Sequence, residues 1–190
     1  METRTYKVYS FDELTKEQQK EAIENYRDIE VDGRWYEDVY ITWQDKLEEL
    51  GYTDIKIMFS GFWSQGDGAC FTASIDMHKW LKAHKLASKY AYLYHNQEYC
   101  NLKITHSNHY YYATSTSVQD TDVDMNVDDY EKLRSQLDKV VALVEKEREE
   151  IGNKIYNDLE KDYEYRTSDE IVKECLQLND YLFTTDGKID

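Results

Sequence analysis

The chain has no proline in its 190 residues, so nothing punctuates its helices from inside. Cysteine is scarce. Cys70, Cys100 and Cys175 are odd in number, widely spaced and without a CxxC pair, a pattern that suits a reducing cytosol and offers neither a zinc site nor a disulfide framework. No apolar run is long enough to span a bilayer, and residues 1–7 lack the apolar stretch of a secretory signal. The expectation is a soluble protein of the cytoplasm. The five histidines stand at no zinc-ligand spacing. No Walker, nucleophile-elbow or dinucleotide-binding pattern occurs.

Basic residues are the other shortage: 23 lysines and arginines face 39 aspartates and glutamates, for a net charge of −16. The excess sits at the ends, with −7 over residues 1–50 and −8 over residues 126–190, against −1 in the middle. Such an exterior repels nucleic acid and favours basic protein partners.

What is present reads as one α+β domain, an α/β core over residues 1–125 followed by a helical part over 126–190. Thr5–Tyr9 reads as a short strand. Capping-box patterns at Ser10–Glu13 and Thr15–Gln18 precede a helix to about residue 29. Trp35 to Leu50 carries a second amphipathic pattern, stopped by Gly51. Strands are expected over 54–62 and 69–77, and a helix over 78–95. A second hairpin over 98–105 and 109–118 turns at Ser107-Asn108. A long helix starts near Val127, with apolar residues at helical spacing to Leu159, and is also a candidate for homodimer formation. A last helix through Leu178 and an edge strand at 181–184 follow. The implied architecture is an antiparallel sheet of about four or five strands, helices mainly on one face and a long C-terminal helix.

The stretch from Phe59 to Phe71 (FSGFWSQGDGACF) holds three of the seven glycines. Glycine reaches positive φ without steric cost, and Asp67-Gly68 is a hairpin turn signal, so this is a tight turn in which Trp63 covers the core. As a ligand site it offers Ser60, Trp63, Ser64, Gln65 and Asp67. Lys82, Lys85 and Lys89, on one face of the predicted 78–95 helix, offer cations for a phosphate if that helix packs near the loop. Asp120, Asp122, Asp124, Asp128 and Glu131 match EF-hand ligand positions, but Met125 replaces the required glycine, and an acidic turn in which Asp128 caps the long helix fits better. No cofactor or catalytic residue is indicated.

The segments Tyr9-Ser-Phe-x-Glu-Leu14, Ala22-x-x-x-Tyr26 and Trp35-Tyr36, and above all the Phe59–Phe71 stretch, resemble a family of small phage and prophage proteins often described as antitoxins of toxin–antitoxin stability systems. The likeness covers most of residues 9–71, and Asn179-Asp-Tyr-x-Phe-x-x-Asp-Gly187 is similar as well. It assigns no residue a role. It implies a mobile-element origin and a non-enzymatic counter-defence protein in the host cytoplasm, one that binds and blocks a CRISPR, restriction or toxin component.

On that reading acidic helices carrying Glu13, Glu17, Glu21, Glu24, Asp28, Glu145 and Glu149 meet a basic host protein, in the manner of a nucleic-acid mimic. No direct contact with nucleic acid or membrane is expected. The alternative is a ligand-binding module or enzyme that sequesters or degrades a nucleotide signal through the 59–71 loop.

Overall fold

The computed structural model describes residues 7–107, 109–120 and 127–190. In chain order the elements are β1 (Tyr9–Ser10), α1 (Lys16–Asn25), α2 (Glu37–Glu49), β2 (Tyr52–Phe59), β3 (Ala69–Ile75), α3 (Met77–Ala83), α4 (Ala91–His95), β4 (Leu102–His106), β5 (Thr116–Asp120), α5 (Tyr130–Arg166), α6 (Asp169–Leu178) and β6 (Leu182–Phe183). They divide into two compact units, residues 1–36 with 160–190, and residues 37–159.

In the first unit Thr15 caps α1 by the predicted reciprocal box with Gln18, and the helix ends at Asn25, short of the expected residue 29. β1 pairs antiparallel with β6, Tyr9 opposite Phe183, so the chain's tail closes onto its beginning. Phe11, Leu14, Ala22, Val172, Leu176 and Phe183 form the core of this unit. The tail is held by polar contacts as well: the Tyr26 hydroxyl accepts from the Ile189 amide at 2.7 Å, and Gln18 Nε2 donates to the Thr185 carbonyl at 2.9 Å. Gly187 has φ +69, and a Cβ there would stand 2.9 Å from the Ala22 nitrogen. No other residue fits so close to a helix backbone.

The second unit is built on a four-stranded antiparallel sheet of order β2-β3-β4-β5. Phe59 pairs with Ala69 at one end of the first hairpin, and Tyr52 with Ile75 at the other. His106 pairs with Thr116 where β4 meets β5. Helices pack against this sheet, including the long C-terminal α5. Along α5, Leu133, Leu137, Val140, Val144, Ile151, Ile155 and Leu159 are buried, so the apolar stripe seen in the sequence is covered within the chain itself. At about 25 cal/mol per Å2, apolar burial on this scale is the main force holding helix to sheet. Gly51, at φ +96, ends α2 as expected.

Two expected elements differ. The helix expected over 78–95 is two short ones. α3 stops because Lys85 adopts φ +57, Leu86 N donates to the Leu81 carbonyl and Lys85 N to that of Lys82, a left-handed C-terminal cap made here without glycine. The lysines therefore do not share one continuous helix face. The second hairpin is also shifted. Its strands are 102–106 and 116–120, the segment Gln97–Tyr99 is a 3-10 turn, and the connection over 107–115 contains a second 3-10 turn at Ala113–Ser115. The predicted turn residue Asn108, the predicted strand residues Thr5 and Tyr6, and Asp122 and Asp124 of the acidic segment lie outside the described residues.

Candidate functional site

Because β2-β3-β4-β5 run alternately up and down, the 60–68 and 107–115 connections emerge at the same end of the sheet. The first is closed by its own polar groups. Ser64 N donates to Asp67 Oδ2 at 2.9 Å, Asp67 N donates to the Ser64 carbonyl at 3.1 Å, and Ser60 N donates to the Gly68 carbonyl at 3.3 Å. The glycines exist for the neighbouring connection: a Cβ on Gly66 would stand 2.2 Å from the Tyr110 ring, and one on Gly68 would stand 2.7 Å from Tyr112 Cα. The two tyrosine rings stack on each other at 5.7 Å, and His106 Nε2 lies 2.7 Å from the Tyr110 carbonyl.

Trp63 is the exception to this inward packing. The expectation that it covers the core is not met: it is 69% exposed. Its φ is +65, a region that a bulky side chain occupies only at a cost of about 1 kcal/mol or more. Phe62 supports it at 5.4 Å and itself packs on Phe59 and on Tyr156 of α5. The loop thus presents a tryptophan to solvent on an aromatic base. At this end of the sheet a cavity of about 280 Å3 is lined by Asp67, Gly68, Tyr112, Asn153 and Tyr156 among others.

The other sequence-predicted residues fall elsewhere. Ser64 and Gln65 are exposed beside Trp63, and the Ser60 hydroxyl donates to the Gly66 carbonyl at 3.4 Å. Lys82, Lys85 and Lys89 follow the far end of β3, roughly 20 Å of strand from the loop. Lys82 and Lys89 lie over the rings of Tyr94 and Tyr90.

Of the acidic candidates, Glu13 accepts from Ser10, Glu24 pairs with Arg27, Asp28 accepts from the Tyr163 hydroxyl, and Glu145 accepts from Val118 N and pairs with Arg148. Glu17, Glu21 and Glu149 are exposed. Asp120 pairs with Arg134, and Asp129, one residue beyond the predicted Asp128, accepts from Lys132 N at the start of α5. Among the described residues no group of three or more histidine, cysteine or acidic side chains is placed to hold a metal.

A second polar constellation, at the opposite end of the sheet, was not foreseen. Glu147 of α5 accepts from the Tyr52 hydroxyl at 2.7 Å, from Trp80 Nε1 at 2.9 Å and from His84 Nε2 at 2.7 Å. His84 Nδ1 lies 2.8 Å from the Trp80 carbonyl, and the two rings stack at 4.1 Å. The hydrogen bond to Glu147 raises the His84 pKa against the opposing effect of burial. Burial works to raise Glu147, but the bonds from His84 and Tyr52 outweigh it and hold the carboxyl below its ordinary value. A His–Glu pair lying 63 residues apart leaves no local signal in sequence.

The cysteines supply no activated thiol. Burial, and then the nearby Glu98, push Cys100 up to about 11. Burial, and then Glu30, do the same to Cys175. Burial also raises Cys70.

Residues 35–169 match the family model described as Domain of unknown function (DUF8835). The chain belongs to this family. The matched stretch holds both ends of the sheet, so the aromatic loop, its cavity and the Glu147 network all fall within DUF8835. No curated protein and no solved structure matches the chain. Among the described residues no helix is long and apolar enough to cross a membrane.

Proposed function

We propose that this DUF8835 protein is a phage-type, non-enzymatic binding protein of the host cytoplasm. It blocks a basic host protein, a defence component or a toxin, by stoichiometric association. The observation that carries this reading is Trp63, 69% exposed and held at φ +65 in a loop that Ser60 and Asp67 brace from within. Strain of this kind persists where the surroundings impose it for use, and tryptophan is among the strongest interface anchors.

The net charge of −16 supports a basic partner by steering its approach. The exposed Glu17, Glu21 and Glu149 are available to that field; Glu13, Glu24 and Asp28 are exposed too but bond to neighbouring side chains or backbone, and Glu145 is half-buried against Arg148. The raised cysteine pKa values and the doubly engaged His84 favour binding over nucleophilic catalysis. The reading of the loop as a nucleotide site has less support, since the lysines meant to offset phosphate charge follow the far end of β3. Homodimer formation through α5 likewise has less support, because its apolar stripe is already buried.

The test is affinity capture of host proteins at low salt by the wild type and by Trp63→Ala, with the captured species rebound in purified form. One basic protein is expected to bind the wild type in a one-to-one ratio, to weaken at least tenfold with Trp63→Ala, and to be released by salt and by added DNA or RNA. Binding indifferent to Trp63, salt and nucleic acid overturns the reading.

A further inference from the structure

The cavity between the 60–68 and 107–115 connections and α5 has a chemistry of its own. Tyr112, Tyr156, Asp67 and Asn153 are among the residues that line it. Bare backbone at Gly68, where a Cβ would meet Tyr112 at 2.7 Å, forms part of the wall. Asp67 is fixed there because its Oδ2 accepts from Ser64 N.

A lining that includes two tyrosines and an aspartate disfavours an anion and would leave an apolar guest beside a desolvated charge. A cation satisfies both. Between the two common cationic side chains, the planar guanidinium stacks on a ring face while its N–H fork reaches a carboxylate and an amide oxygen, which a compact ammonium does not do. The space of about 280 Å3 accepts one such group with its first methylenes.

We propose that this cavity receives an arginine side chain of the partner protein, an inference that rests on the binding-protein reading above and names the chemistry the partner must present. The overall charge of −16 complements a surface rich in such side chains. Trp63 then covers the neighbouring apolar surface of the partner, and the cavity fixes register.

The test needs no partner. N-acetyl-arginine amide is titrated into the full 15N-labelled chain, with N-acetyl-citrulline amide, equal in shape and uncharged, as control. Saturable amide shifts are expected at Gly68, Ala113 and Asn153 with the arginine compound alone, with a dissociation constant on the order of millimolar.

Asp67→Asn keeps an oxygen acceptor for Ser64 N and is expected to weaken this binding about tenfold or more. Should that variant fail to fold, Tyr156→Leu is expected to weaken it several-fold while Tyr156→Phe retains it. Equal responses to arginine and citrulline, or shifts confined to the acidic helices, overturn the inference. Partner capture that persists unchanged in a folded Asp67→Asn or Tyr156→Leu overturns it too, and leaves the binding-protein reading standing. Arginine binding without any captured partner supports the cavity's chemistry and counts against that reading instead.

Discussion

His84 sits between two pure acceptors, with Nε2 2.7 Å from Glu147 Oε1 and Nδ1 2.8 Å from the Trp80 carbonyl oxygen. Both nitrogens must carry a proton to satisfy that geometry. Below its raised pKa the ring is an imidazolium that satisfies both, paired with the Glu147 carboxylate, and it ties the end of α3 to α5.

The pair makes stability depend on pH in both directions. His84 is raised in the fold from its ordinary 6.5, so its contribution is complete below that value and fades as pH climbs through the folded pKa. Glu147 is lowered from 4.5, so its contribution is complete above that value and fades as pH falls through the folded pKa. The window of full effect runs from 4.5 to 6.5. A double-mutant cycle with His84→Gln and Glu147→Gln, read by urea denaturation, is expected to give a coupling of about 2 kcal/mol near pH ~5.5. That coupling should shrink toward zero near pH ~9. A coupling flat across that range would rule out the charged pair.

Trp63 is largely exposed, so its replacement is expected to cost the fold little. Replacing it by glycine removes the positive-φ strain and also the ring contact with Phe62 at 5.4 Å. Glycine's greater freedom in the unfolded chain opposes the relief, so the net change in stability is expected to stay within about 1 kcal/mol. A Trp63→Gly protein with an unchanged thermal midpoint but no partner binding fits an anchor. A large fall in midpoint would make it a core residue.

Gly152 reverses an ordinary rule. In a helix interior alanine is favoured over glycine by about 1 kcal/mol, yet here a Cβ would stand 2.8 Å from Ala113 Cβ and 3.1 Å from its Cα. Gly152→Ala is expected to destabilise by about 1–3 kcal/mol through overpacking. Ala113→Gly in the same chain removes the nearer clash and should recover part of the loss, measured as a rise in the urea midpoint.

Arg148 is buried, and its guanidinium donates to the Ala113 carbonyl, to Thr116 Oγ1 and to Glu145. Arg148→Met leaves the Glu145 carboxylate unpaired in a partly buried place and should cost about 3 kcal/mol. Arg148→Met with Glu145→Gln keeps the acceptor for Val118 N and is expected to regain about 1 kcal/mol. If the double variant is no more stable than the single one, the unpaired charge is not the cause.

Where structure follows from neighbouring residues, the chain is readable. Thr15 with Gln18, Ser168 ahead of α6 and Gly51 after α2 satisfy backbone groups three or four positions away, and the apolar spacing of α5 needs only the helical repeat. The left-handed cap at Lys85 escaped because lysine carries no signal for it. The second hairpin escaped because Tyr110 and Tyr112 are spent on covering Gly66 and Gly68 instead of extending a strand ladder.

By itself, then, the sequence determines the α+β class, most of the strand and helix order, the acidic composition and the loop of Phe59–Phe71 as a turn. All of these rest on local geometry, periodicity or composition. The tertiary structure alone decides that Trp63 points outward, that Asp67, Tyr112 and Tyr156 share a cavity, and that His84 meets Glu147. Those pairings join residues tens of positions apart, and the sheet order and the path of α5 select them from many arrangements with the same local preferences.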